Sequence, residues 1–137
     1  MKIKLDPGAY APTRAHPEDA GADIRALHGG TILPGDGEVF QTGVHVEIPA
    51  GCCGLLVSKS GLNVAHGITS TGLIDEGYTG EILVKLYNHG ELPYVINAGD
   101  KISQLVIIPI LRPELEIVDE IGQGSARGDK GFGSSGK

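Results

Sequence analysis

Short alternating runs, rather than helical stripes, organise this chain. Lys2-Ile3-Lys4-Leu5 alternates polar and apolar positions and predicts a half-buried strand. A loop with two prolines runs from Ala9 to Pro17. The small residues of Asp19-Ala20-Gly21-Ala22-Asp23-Ile24-Arg25-Ala26 let the backbone pass close to a neighbour and set Asp23 among apolar side chains. Thr31 to Pro34 predicts a short strand and Gly35-Asp36-Gly37 a turn. Val44, Val46 and Ile48 alternate with His45 and Glu47, a strand with one wet face that Pro49 stops. Gly54-Leu55-Leu56-Val57 is continuously apolar and predicts a strand buried on both faces. Ser58-Lys59-Ser60-Gly61-Leu62 interrupts it, with room for one helical turn over Ser60 to Val64. Ile68 to Thr71 leads into Gly72-Leu73-Ile74-Asp75-Glu76-Gly77-Tyr78-Thr79-Gly80-Glu81-Ile82, which reads as strand, tight turn, strand. Gly77 after two acidic residues suits a bend that needs positive φ. Ile82, Val84 and Leu86 continue the alternation. Lys101 to Pro109 is the most apolar strand and carries Gln104 in its middle; Leu115 to Ile121 predicts a last strand. No 3.6-residue apolar stripe runs for ten residues, and no repeat is visible. The pattern predicts an all-β domain over residues 1–121, a distorted jelly roll or β-sandwich of short strands. From Gly122 to Lys137 the Gly- and Ser-rich composition predicts a flexible C-terminal arm.

Composition sharpens this picture. Twenty-two Gly and eight Pro among 137 residues supply many turns, and 40% hydrophobic content suffices for one domain with a core. No apolar run is long enough for a membrane span, and no leader pattern opens the chain. Cys52 and Cys53 are adjacent, a poor geometry for a structural disulfide and no zinc spacing. A soluble protein of a reducing cytoplasm is the expectation. A net charge of −6 without a basic cluster argues against binding nucleic acid through its backbone, yet leaves room for a small anionic ligand.

Several chemistries fall away. The five histidines at 16, 28, 45, 66 and 89 have no metal-ligand pairing. No Gly-x-Ser-x-Gly elbow occurs. Gly131 to Lys137 matches the opening of a P-loop without the Ser/Thr and helix that complete it. Arg127-Gly128-Asp129 is a tripeptide frequent by chance. The hairpin remains: it presents Asp75 and Tyr78 on a rigid turn, a usual way to hold a catalytic base, although solvated acids on an ordinary hairpin give the same pattern.

Five stretches taken together resemble the five ordered motifs of the trimeric dUTP diphosphatase (dUTPase) family. Ala20-Gly21-Ala22-Asp23-Ile24 resembles Ala-Gly-x-Asp-Leu. Ser58-Lys59-Ser60-Gly61-Leu62 resembles Pro-Arg-Ser-Gly-Leu. Gly72 to Ile82 resembles Gly-x-Ile-Asp-x-x-Tyr-x-Gly-x-Ile. Gly99-Asp100-Lys101-Ile102-Ser103-Gln104-Leu105 resembles Gly-[Asp/Glu]-[Lys/Arg]-Ile-x-Gln-Leu. Arg127 to Gly136 resembles Arg-Gly-x-x-Gly-Phe-Gly-Ser-[Ser/Thr]-Gly. They cover residues 20 to 136, and five in order are far more specific than one.

The resemblance implies Mg²⁺-assisted hydrolysis of dUTP to dUMP and pyrophosphate, which lowers dUTP and supplies dUMP for dTMP synthesis. Asp75 would orient and deprotonate the water that attacks the α-phosphorus. Asp23 would act on Mg²⁺ through water. Lys59, Ser60 and Gly61 would contact phosphate oxygens, with Lys59 where the family more often has Arg, keeping the charge but not the two-pronged fork. Gln104 would find a phosphate or a neighbouring motif as partner. Backbone groups near Leu73, Ile74 and Leu83 would pair with the uracil edge, and Tyr78 would crowd out a ribose 2′-hydroxyl. Thr69 stands where many members carry a base-contacting Asn. The arm would close over the nucleotide, with Phe132 stacked on uracil and Arg127, Gly133, Ser134 and Ser135 around the phosphates. The family is a homotrimer with sites shared between subunits, and the apolar Ile102 to Ile110 could line a central interface. A dCTP deaminase of the same fold, alone or bifunctional, is the alternative enzyme, but its general acid/base glutamate corresponds here to Lys85. A non-catalytic regulator acting through a protein partner, as among some viral relatives, is the alternative of another class.

Overall fold

The computed structural model describes residues 1–122; Arg127, Phe132, Gly133, Ser134 and Ser135 lie outside the described residues. The described chain forms ten strands and one helix: β1 Ile3–Leu5, β2 Ala22–Arg25, β3 Gly30–Ile32, β4 Gly37–Gln41, β5 Val44–Val46, β6 Cys52–Val57, α1 Ser60–His66, β7 Ile68–Ile74, β8 Leu83–Asn88, β9 Tyr94–Ile96 and β10 Lys101–Pro109. A six-stranded antiparallel sheet runs in the order β2-β10-β6-β7-β8-β4, and β1-β5 and β3-β9 form two-stranded ribbons. The all-β expectation holds, and the fold is a curled, jelly-roll-like set of antiparallel sheets.

Alternation decides what is inside. Ile82, Val84 and Leu86 are buried while Leu83, Lys85 and Tyr87 between them face outward. With Ile24, Val44, Val46, Leu56, Ile68, Ile74 and Leu105 they form one core. Each such fully buried side chain contributes about 1.5–3 kcal/mol of burial. Gly54 and Leu56 of β6 are buried, whereas Leu55 and Val57 are only partly covered. The sheet curls because β7 changes partner halfway along: Ile68 to Ser70 pair with β8, and Thr71 to Ile74 pair with β6.

Four local expectations change. The run Gly54 to Val57 is buried on one face and only partly covered on the other, at Leu55 and Val57. Ile3 and Leu5 of β1 keep 42% and 41% exposure, because β1 is the outer strand of a ribbon. The single helical turn extends to His66 and stops at Gly67 (φ 67°), where the left-handed conformation suits glycine. Leu115 to Ile121 forms no strand: an extended segment needs a partner for its backbone, and none stands beside it among the described residues. Its apolar side chains are bare, Leu115 at 90% and Ile117 at 100% exposure.

Candidate active site

The change of partner in β7 opens a gap inside the sheet. Among the described residues, 71–74 of β7 pair with β6 on one side and have no strand on the other, while Leu83 to Lys85 of β8 pair only with β4. Between the two limbs lies a cleft of about 350 Å³ walled by Leu73, Ile74, Tyr78 and Leu83, with Asp75 at its edge. Leu73, Tyr78 and Leu83 are 65%, 48% and 50% exposed. Apolar walls beside free strand backbone suit a flat, polar-edged ring.

The turn is tight where the pattern required it. Tyr78 N–H donates to the Asp75 carbonyl (3.2 Å), and Gly77 has φ 85°. The Tyr78 ring lies over Gly80, and its hydroxyl donates to the Glu81 carbonyl (3.0 Å). A Cβ at position 80 would come within 2.4 Å of the Tyr78 oxygen, so this glycine makes room for the ring. The returning limb is tied to the β4–β5 corner. Glu81 Oε1 accepts from Thr42 N–H (3.0 Å) and Gly43 N–H (2.8 Å), and Thr42 Oγ1 donates to the Ile82 carbonyl (2.7 Å).

The two acids of the turn diverge. Glu76 accepts from Gly51 N–H (2.9 Å) and pairs with Arg112 (2.6 Å). The Gly51 hydrogen bond first, and the guanidinium second, hold its carboxyl below the ordinary carboxylate range. Asp75 is exposed, and its carboxylate has no protein partner among the described residues.

A second cluster gathers on the other side of the sheet's middle. Asp23 is 4% exposed, and its two oxygens meet Lys59 Nζ and Lys101 Nζ at 2.5 and 2.6 Å. Burial pushes the Asp23 carboxyl up, but hydrogen bonds from Lys101 and Lys59 outweigh this and hold it low. Gln104 stands opposite both Asp23 and Val57 in the register, so it shares their face of the sheet. Its side chain lies on Gly21, where a Cβ would stand 3.0 Å from Gln104 Cβ. Ser60 and Gly61 are exposed at the start of α1, and nothing in the described chain fills the space a Cβ at 61 would take.

Thr69 stands apart from both clusters. It lies in the part of β7 that pairs with β8, and its hydroxyl meets His89 Nε2 at 2.9 Å. Lys101 and Glu81 were not among the candidate residues. The fourth motif marks a cation at 101 but not its partner, and Glu81 falls at an unspecified position of the third motif; each reaches its partner across strands distant in sequence.

Among the described residues no group of three or more His, Cys, Asp and Glu could hold a metal ion. One buried carboxylate between two ammonium groups suits a hydrated cation carried on an anionic ligand, not a chelated one. No helix among the described residues is long and apolar enough to cross a membrane.

A family model described as dUTPase matches residues 8–136. The deoxyuridine 5′-triphosphate nucleotidohydrolase of Gloeothece citriformis is 40% identical, the match covering 99% of this chain and 97% of that protein. That of Gloeobacter violaceus is 44% identical over 91% and 88%. The fold is similar to the Staphylococcus bacteriophage 80alpha dUTPase solved with dUPNHPP, with TM-score 0.92, 36% identity and coverage of 99% and 98%. It is also similar to a mutant dUTPase from phage phi11 of S. aureus, a structure that concerns a structural Mg(II) ion, with TM-score 0.80, 34% identity and coverage of 87% and 96%. With five motifs, the fold and near-complete coverage in agreement, this chain belongs to the dUTPase family.

Proposed function

We propose that this protein hydrolyses dUTP to dUMP and pyrophosphate, by attack of a water held by Asp75 on the α-phosphorus. The observation that carries the reading is the open inner edge of β7, which ends at an aspartate without a protein partner among the described residues. Uracil would enter the cleft and pair with backbone groups of Leu73, Ile74 and Leu83 as a strand would. Cytosine reverses the donor pattern at position 4 and would leave groups unpaired. Tyr78, fixed over Gly80, would lie along the deoxyribose and exclude a 2′-hydroxyl. An ionised Asp75 can accept a proton from water and aim it. Lys59, Ser60, Gly61, Gln104 and Lys101 would neutralise and orient the phosphates, which is most of what phosphoryl chemistry asks of a protein. Mg²⁺, held by the triphosphate with Asp23 behind its water shell, would add charge neutralisation. Arg127, Phe132, Gly133, Ser134 and Ser135 would complete the enclosure.

One chain alone does not bring these parts together. Ile74 pairs with Gly54, so Asp75 lies at one end of β6; Val57 pairs with Gln104, so Lys59 and Asp23 lie at the other. The length of β6, roughly 15 Å at about 3.3 Å per residue, separates them. A homotrimer in which one subunit's hairpin faces another's phosphate cluster joins them. The bare apolar side chains from Leu111 to Ile121 are a segment suited to lie on a neighbouring copy. Two free cysteines fit a reducing cytoplasm.

Pyrophosphate release from dUTP, dCTP, dTTP and UTP with Mg²⁺, for the wild type and Asp75→Asn, tests the reading. Release from dUTP alone, lost in the variant, is expected. Ammonia from dCTP would indicate a deaminase, and no turnover of any nucleotide would indicate a binding protein.

A further inference from the structure

Among the described residues, the stretch 78–80, which carries the Tyr78 ring, is hydrogen-bonded to the body of the protein at one atom. Tyr78 N–H and Tyr78 hydroxyl bond only within the hairpin. Among the described residues, the hydrogen bond that leaves the hairpin from 78–80 runs from the Thr79 carbonyl to His45 Nδ1 (2.9 Å). The other ring nitrogen of His45, Nε2, lies 3.0 Å from Asp6 Oδ2. A carbonyl and an ionised carboxylate can only accept, so making both hydrogen bonds at once requires both ring nitrogens to donate, as they do in an imidazolium. The Asp6 backbone N–H donates to the Gly43 carbonyl (2.8 Å), and Gly43 N–H holds Glu81. Asp6 therefore anchors His45 to the same corner that fixes the returning limb.

We propose that His45 is a positioning residue for the nucleoside-binding hairpin: as an imidazolium bridging Asp6 and the Thr79 carbonyl, it sets where Tyr78 stands, and loss of the Nδ1 proton to solvent, the Nε2 proton staying hydrogen-bonded to the ionised Asp6 carboxylate, releases the hairpin and weakens dUTP binding. This rests on the hydrolase reading above. His45 does not line the cleft, and among the described residues it has no hydrogen bond to a proposed substrate contact.

The charges around the ring are mixed. Asp6 faces it directly. Lys4, opposite His45 in the β1–β5 register, also pairs with Asp6 (3.2 Å) and opposes the imidazolium. Lys2 and Glu47, paired at 2.9 Å, line the same groove, and Glu81 on the hairpin is occupied by two amides. The Asp6 and Thr79 hydrogen bonds prevail and raise the His45 value above its ordinary 6.5. A raised value means that the bridge is intact below about pH 6.5 and is lost as pH rises through the higher folded value.

The test measures KM and kcat for dUTP from about pH 5.5 to about pH 9, the imidazole range, in the wild type, His45→Asn and His45→Leu. Alongside it run the NMR titration of His45 and hydrogen exchange at the amides of 78–80. Asn keeps a donor for Thr79 and does not titrate. The wild-type KM should rise about three- to tenfold across the His45 titration, the range one hydrogen bond commands, with kcat changed less. His45→Asn should flatten that rise, and His45→Leu should show the raised KM at every pH. A His45 that titrates at or below the ordinary value, or a wild-type KM profile kept in His45→Asn, overturns the proposal. If the wild type hydrolyses no dUTP, the hydrolase reading fails separately. Exchange at 78–80 then decides: faster exchange than in His45→Asn above the His45 titration supports the bridge, and equal exchange refutes it. The wild-type measurements stand even if His45→Leu does not fold.

Discussion

Glu76 Oε2 lies 2.6 Å from Arg112 Nη2, and this ion pair together with the Gly51 amide occupies one acid of the hairpin, while its sequence neighbour Asp75 has no protein partner among the described residues. The division of labour between two adjacent carboxylates is thus built by the Gly51 amide ahead of β6 and by a residue in the segment after β10. Asp75→Asn should lower kcat for dUTP by at least about a hundredfold, the lower end of what a general base contributes, with KM changed little. Pyrophosphate release measures it, and unchanged kcat would remove Asp75 from the chemistry.

Glu76 supplies an acid-side prediction. Its folded value is lowered, so it contributes stability above the ordinary carboxylate value and loses it as pH falls through the folded one. Glu76→Gln should therefore lower the melting temperature near neutrality and lose that difference at strongly acid pH. Melting curves over the acid range show whether the gap between variant and wild type closes.

Gly80→Ala places a methyl where the Tyr78 ring lies. The ring must move, so discrimination between dUTP and UTP should fall while the fold persists. The ratio of kcat/KM for the two nucleotides is the measurement, and an unchanged ratio would separate Tyr78 from sugar selection.

Asp23→Asn leaves two ammonium groups facing a neutral amide. The loss of a largely buried carboxylate between two partly exposed lysines should cost about 1–3 kcal/mol and raise the Mg²⁺ concentration needed for half-maximal rate. Urea unfolding and a Mg²⁺ titration report the two effects independently.

Shared sites give the sharpest assembly prediction. Asp75→Asn and Lys59→Ala trimers should each be nearly inactive. Subunits unfolded together and refolded as a mixture should regain about a quarter of wild-type activity, as random assortment in a closed ring requires. Sedimentation should report a trimer, and the absence of regained activity would place both residues in one chain's site.

Much of this protein was legible before any coordinates. Period-two alternation marks Ile82, Val84 and Leu86 as core, Gly77 marks the bend, and motif residues mark Asp23, Lys59, Asp75 and Gln104, because these signals are local and repeat within a few residues. Leu115 to Ile121 shows the limit: its Leu115-Glu116-Ile117 start alternates like β8, yet it forms no strand, since pairing depends on a partner that local pattern does not name. Tertiary structure alone decided that β7 leaves β8 for β6 at Thr71 and so opens the cleft, that Asp23 draws in Lys101 as well as Lys59, and that His45 holds Thr79. Each is a meeting of side chains or strands far apart in sequence, set by register and by which groups could find no other partner once the core had closed.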